Sequence, residues 1–80
     1  MSQKAQTPDE RFLLQLHQMA KSLGDPHKPL SITRVAKAVG LKETAVKNIV
    51  KHLAQANLVE KIGHDQVALT ARGISLVENL

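Results

Sequence analysis

The sequence predicts an α+β fold that is mostly α, with a three-helix core, a short β-hairpin and a C-terminal helix. Three observations predict it. From Ile32 to Lys61 the chain reads as two helices hinged at Val39-Gly40-Leu41, because apolar residues recur at helical spacing on either side of the glycine. After Asn57 the texture turns to β, with two short strand candidates around the turn-forming cluster Gly63-His64-Asp65. Ahead of these, Thr7-Pro8-Asp9-Glu10 combines a capping hydroxyl, a proline at the first helical position and a glutamate that can reach back.

That capping box should open a first helix running to about Leu23, with Phe12, Leu16, Met19, Ala20 and Leu23 on one arc and Leu13 at its margin. Leu14 points away from this arc, as a stray exposed leucine or as a contact with another chain. Gly24 and the Asp25-to-Pro29 loop forbid continuation. Leu30-Ser31-Ile32 is long enough only for a short strand, and Thr33 is placed to cap a second helix from Arg34 to Val39. Gly40 ends it where a residue without a Cβ takes the left-handed turn. The third helix should start at Lys42 or Glu43 and run to about Ala56. On its wheel Val46, Ile49, Val50 and Leu53 oppose Thr44, Lys47, Asn48, Lys51 and Gln55. Strands over residues 58–62 and 66–69 then pair as a hairpin and join the short strand in a three-stranded sheet. Thr70 caps a last helix to about Asn79, whose apolar arc is Ile74, Leu76, Val77 and Leu80. Residues 1–6 read as a disordered tail and residues 7–80 as a single domain.

Eighty residues allow one small domain with a modest core and leave no room for a separate ligand or catalytic domain. The absence of cysteine excludes disulfides and thiolate metal sites. The first residues offer no apolar run for a signal peptide or membrane span, so a cytoplasmic location and no membrane partner are expected. The net charge is +4, and its distribution says more than its size. Between Leu30 and Lys61 there are six basic residues (Arg34, Lys37, Lys42, Lys47, Lys51, Lys61) against two acidic ones (Glu43, Glu60), whereas the flanks are balanced. An excess of positive charge on two hinged helices points to an anionic partner.

Within Ile32 to Lys51, Ala36 lies four residues before Gly40 and Val46 six after it, with Leu41 and Ile49 also apolar. This resembles the helix-turn-helix signature, in which a small residue lets the helices approach, glycine makes the turn and aliphatics lock the second helix. Its extension through Val50 to Lys61, and then Ala68-Leu69-Thr70-Ala71-Arg72-Gly73, looks like the winged helix-turn-helix domains of MarR-type and PadR-type regulators. The resemblance covers roughly residues 30 to 74 and implies a hairpin wing, double-stranded DNA as partner and a role in transcription regulation. The chain departs from those families in its very short wing, in the low charge of the wing tip and in lacking their long dimerisation helices. Their small-molecule sensing is therefore not carried over, and no ligand or cofactor is expected.

Groove reading follows from the resemblance. The third helix would enter the DNA major groove with Lys42, Glu43, Thr44 and Ala45 leading and with Lys47, Asn48 and Lys51 along its exposed face. Lysine suits phosphate or guanine, threonine either phosphate or base, and asparagine adenine, so Asn48 is the candidate base reader. Arg34 and Lys37 would meet the backbone, and Lys61 or His64 would approach an adjacent minor groove from the wing. A homodimer is expected, because one 80-residue domain covers little groove surface and two half-sites multiply specificity. The alternative is a winged-helix adaptor that binds protein and no DNA; it would call for apolar or acidic residues where the third helix carries Thr, Lys, Asn, Lys and Gln. Catalysis is not expected, since Ser31, Ser75 and Thr70 lack a nearby base. The four histidines (His17, His27, His52 and His64) show no metal-ligand spacing, and Phe12 is the only aromatic for stacking on single strands.

Overall fold

The computed structural model describes residues 7–79, so the expected tail and the place of Leu80 in the last apolar arc lie outside the described residues. Helix α1 (Pro8–Ser22), strand β1 (Leu30–Ser31), helices α2 (Ile32–Val39) and α3 (Glu43–Gln55), strands β2 (Val59–Ile62) and β3 (Gln66–Leu69), and helix α4 (Ala71–Glu78) follow in that order. The sheet is antiparallel with β3 between β1 and β2. This is the α+β architecture the sequence predicts, three helices with a short hairpin and a C-terminal helix.

The capping box forms at Thr7, whose backbone N–H donates to Glu10 Oε1 at 3.0 Å while the Glu10 N–H donates to its hydroxyl at 3.2 Å. Helix α1 packs against all three other helices and β3. A helix covered from several sides needs a wide apolar arc, which is why Leu13, expected at the margin, is fully buried beside Phe12, Leu16 and Ala20. Leu14 is half-buried and packs against the same core, so it is not a stray exposed leucine. Leu23 is 54% exposed. It is the C-cap residue, and Gly24 follows it in the left-handed region at φ 102°, with the Asp25 N–H bonded back to the Ala20 carbonyl at 3.2 Å.

Helix α2 begins two residues earlier than expected, and its cap is Ser31, whose hydroxyl accepts from the Arg34 N–H at 3.4 Å. Pairing of Leu30 and Ser31 with Val67 and Gln66 holds Ser31 in extended backbone, so Ile32 becomes the first helical residue and Thr33 lies inside the helix. Gly40 closes α2 in the left-handed region at φ 80°, and Asn57 does the same after α3 at φ 64°. Leu58 is still tied to α3 through its N–H to the Leu53 carbonyl at 2.9 Å, which delays the strand to Val59. The sheet and helices share one apolar core, with Val35, Val46 and Val67 almost wholly buried and no buried polar side chain among the described residues.

Candidate nucleic-acid interface

Helix α3 is amphipathic by placement as well as by sequence. Val46, Ile49, Val50 and Leu53 are buried, and Thr44, Lys47, Asn48, Lys51 and Gln55 are all exposed. Packing against the core fixes the rotation of the helix about its axis, so burying the four aliphatics decides which side chains face solvent. The N-cap position is Lys42, which makes no side-chain cap bond, and Glu43 supplies an acidic group to the first turn.

Beside this face lies a groove of about 600 Å³ between α2, α3 and the hairpin. Its floor is apolar, formed by Ile32, Ala36, Val46, Val50 and Ala54, and its rim carries Glu43, Lys47, Lys51, Gln55, Lys61, His64 and Asp65. Lys61 stands opposite Val67 in the ladder, and Val59 stands opposite Leu69. By the alternation of a strand, Lys61 therefore shares the sheet face of Val59, and it stays exposed although its ladder partner Val67 belongs to the core. It projects over the groove toward α3.

The structure thus brings together Glu43, Lys47, Lys51, Lys61 and His64 on a single groove. Thr44 and Asn48 lie on the adjoining exposed arc of α3, outside that groove. Lys42 sits at the entry of α3, and Arg34 and Lys37 are exposed on α2. Sequence reasoning missed Asp65 as more than a turn residue. Its carboxylate accepts from the Ser31 hydroxyl at 3.1 Å and from the Thr33 hydroxyl at 3.4 Å. It also missed His27, whose Nδ1 is 3.0 Å from the Leu69 carbonyl. Both contacts join residues more than thirty positions apart, and no local pattern announces them. Among the described residues no group of three or more His, Asp or Glu is gathered to hold a metal ion, and no helix is long and apolar enough to cross a membrane.

A tri-helical core whose third helix presents a polar face beside a β-hairpin defines a winged-helix fold. Solved structures agree. The chain is similar to RV1404 from Mycobacterium tuberculosis, with a TM-score of 0.73 at 25% identity over 94% of this chain and 50% of that one. It is also similar to the PcaV transcriptional regulator from Streptomyces coelicolor, solved in complex with its natural ligand, with a TM-score of 0.72 at 20% identity over 96% of this chain and 53% of that one. The chain spans about half the length of each. No family model and no curated protein matches the sequence.

Proposed function

We propose that the chain is a sequence-specific double-stranded DNA-binding protein, a small transcriptional regulator that acts as a homodimer and reads the major groove with α3. The observation that carries this reading is the exposed arc of α3, where Thr44, Lys47, Asn48, Lys51 and Gln55 form a face of donors and cations with no acidic member. Asn48 is the base reader, Lys47 and Thr44 serve base edge or phosphate, and Lys51 holds phosphate. Lys42 and Glu43 lie at the entering end, and Arg34 and Lys37 contact the backbone from α2. Lys61 and His64 reach the strand from the far side of the groove. Similarity in fold to a transcriptional regulator supports the same reading.

The dimer rests on α4, where Leu76 remains 38% exposed after folding.

The test is a salt titration of binding to random duplex DNA, followed by selection of preferred duplexes from a random pool. The logarithm of the binding constant should fall linearly with the logarithm of salt, with a slope of about −0.9 for each phosphate neutralised. The selected sequences should be palindromic. No detectable binding even at low salt would overturn the reading in favour of a protein-binding adaptor.

A further inference from the structure

We propose that Asp65 is a positioning residue, which ties the hairpin tip to the first turn of α2 and thereby holds Lys61 and His64 across from Lys47 and Lys51 on one preformed groove rim. The use of that rim rests on the DNA-binding reading above; the tie itself does not.

Three hydrogen bonds converge on Asp65. Its Oδ2 accepts from the Ser31 hydroxyl at 3.1 Å, its Oδ1 from the Thr33 hydroxyl at 3.4 Å, and its backbone carbonyl from the Ile32 N–H at 2.7 Å. The Ser31 hydroxyl uses both its capacities, donating to Asp65 and accepting from the Arg34 N–H. The carboxylate is thus linked through one hydroxyl to the backbone of the helix it faces. Helix α2 has no acidic residue in its own first turn. Its partly positive N-terminus takes a negative charge from the hairpin instead. Strand β1, with two residues, offers the hairpin only a brief ladder. The Asp65 bonds extend that attachment past the end of the pairing, to the turn that follows Lys61 and Ile62.

A lysine on a loose hairpin must be immobilised when it meets a phosphate, and that cost is subtracted from the contact. A lysine on a tied hairpin has been positioned during folding. Lys61 should therefore matter to binding only while Asp65 is present.

The experiment is a double-substitution cycle read by fluorescence anisotropy on random duplex DNA, with amide hydrogen exchange on the free protein. In the parent, Lys61→Ala should weaken binding roughly eightfold at 0.1 M salt, from a slope of about −0.9 per phosphate taken against a 1 M reference, and should flatten the salt dependence by that amount. In an Asp65→Ala background, Lys61→Ala should change neither affinity nor slope by more than a fraction of this. Exchange at Ile32, at Arg34 and across residues 61–66 should rise in Asp65→Ala and stay unchanged in Lys61→Ala, with the α1 amides unaffected in both. Should Asp65→Ala fail to fold, Asp65→Asn, which keeps one acceptor oxygen, replaces it and should give the same pattern in smaller amplitude. Equal cost of Lys61→Ala in both backgrounds would overturn the positioning role. If the parent binds no DNA, the proposed function falls and exchange alone decides the tie: unchanged protection in the Asp65 variant would overturn it.

Discussion

Gly73 lies inside α4 and is buried, and a Cβ built there would run into the backbone carbonyl of Leu58 and press on Leu69 Cδ2 at 3.1 Å. Two effects of Gly73→Ala have opposite sign. Helix propensity favours alanine by about 1 kcal/mol. Against it, the obstructing atom is a main-chain oxygen, which has no rotamer to yield, so the helix and the entry to β2 must separate. That separation strains the bond from the Thr70 N–H to the Leu58 carbonyl, 3.1 Å, and the cap in which the Thr70 hydroxyl accepts from the Gly73 N–H at 3.0 Å and donates to the Asn57 carbonyl at 2.7 Å. Overpacking of this kind costs about 1–3 kcal/mol, and a weakened cap about 1 kcal/mol more. Set against the gain in propensity, the net loss is about 1–3 kcal/mol, a sizeable share of the total stability of a domain this small. At about 4–8 °C per kcal/mol for a domain of this size, the midpoint should fall by roughly 4–24 °C in a thermal melt followed by circular dichroism. A variant as stable as the parent, or more stable, would show that propensity wins and that α4 does not sit as close to Leu58 as described.

Three further outcomes are expected. Lys51→Ala should weaken binding to all duplexes alike and flatten the salt slope by about 0.9, whereas Asn48→Ala should relax preference at one base position worth about 1–3 kcal/mol; titrations on an operator and on random duplex separate the two, and equal affinities for parent and both variants would refute the α3 docking face. Ser31→Ala should lower stability by about 1 kcal/mol as an N-cap, and Thr33→Ala by less than about 0.5 kcal/mol, in urea melts; the reverse order would return the cap to Thr33. Leu76→Lys should leave the fold intact and convert a sedimenting dimer to a monomer, and a parent that sediments as a monomer both free and on DNA would remove the dimer.

The helix-turn-helix was readable because its determinants are near neighbours in sequence. Gly40 and Asn57 adopt the left-handed backbone expected of them, and Val46, Ile49, Val50 and Leu53 are buried as their spacing requires. What misled was decided from a distance. Ser31 and Thr33 are both competent caps, and the choice between them is made by strand β3 and Asp65, more than thirty residues further on. Leu13 and Leu23 both continue helical patterns, but one is covered by neighbouring elements and the other, at the C-cap, is left exposed. For the candidate site, sequence identified the exposed arc of α3. That Lys61 leans over a groove shared with Lys47 and Lys51 depended on the register of the hairpin, set by the pairing of Lys61 with Val67.

The three-stranded sheet has another consequence, for how copies of the chain avoid one another. Its middle strand, β3, has both edges occupied, so open ladder groups remain only on β1 and β2. One of these is two residues long, and the other carries the exposed charges of Glu60 and Lys61 side by side. A short edge and a charged edge are poor templates for a further strand. Self-association by sheet extension, the route that ends in insoluble aggregate, is thus discouraged at both borders, and a second copy is left to approach through helical surface.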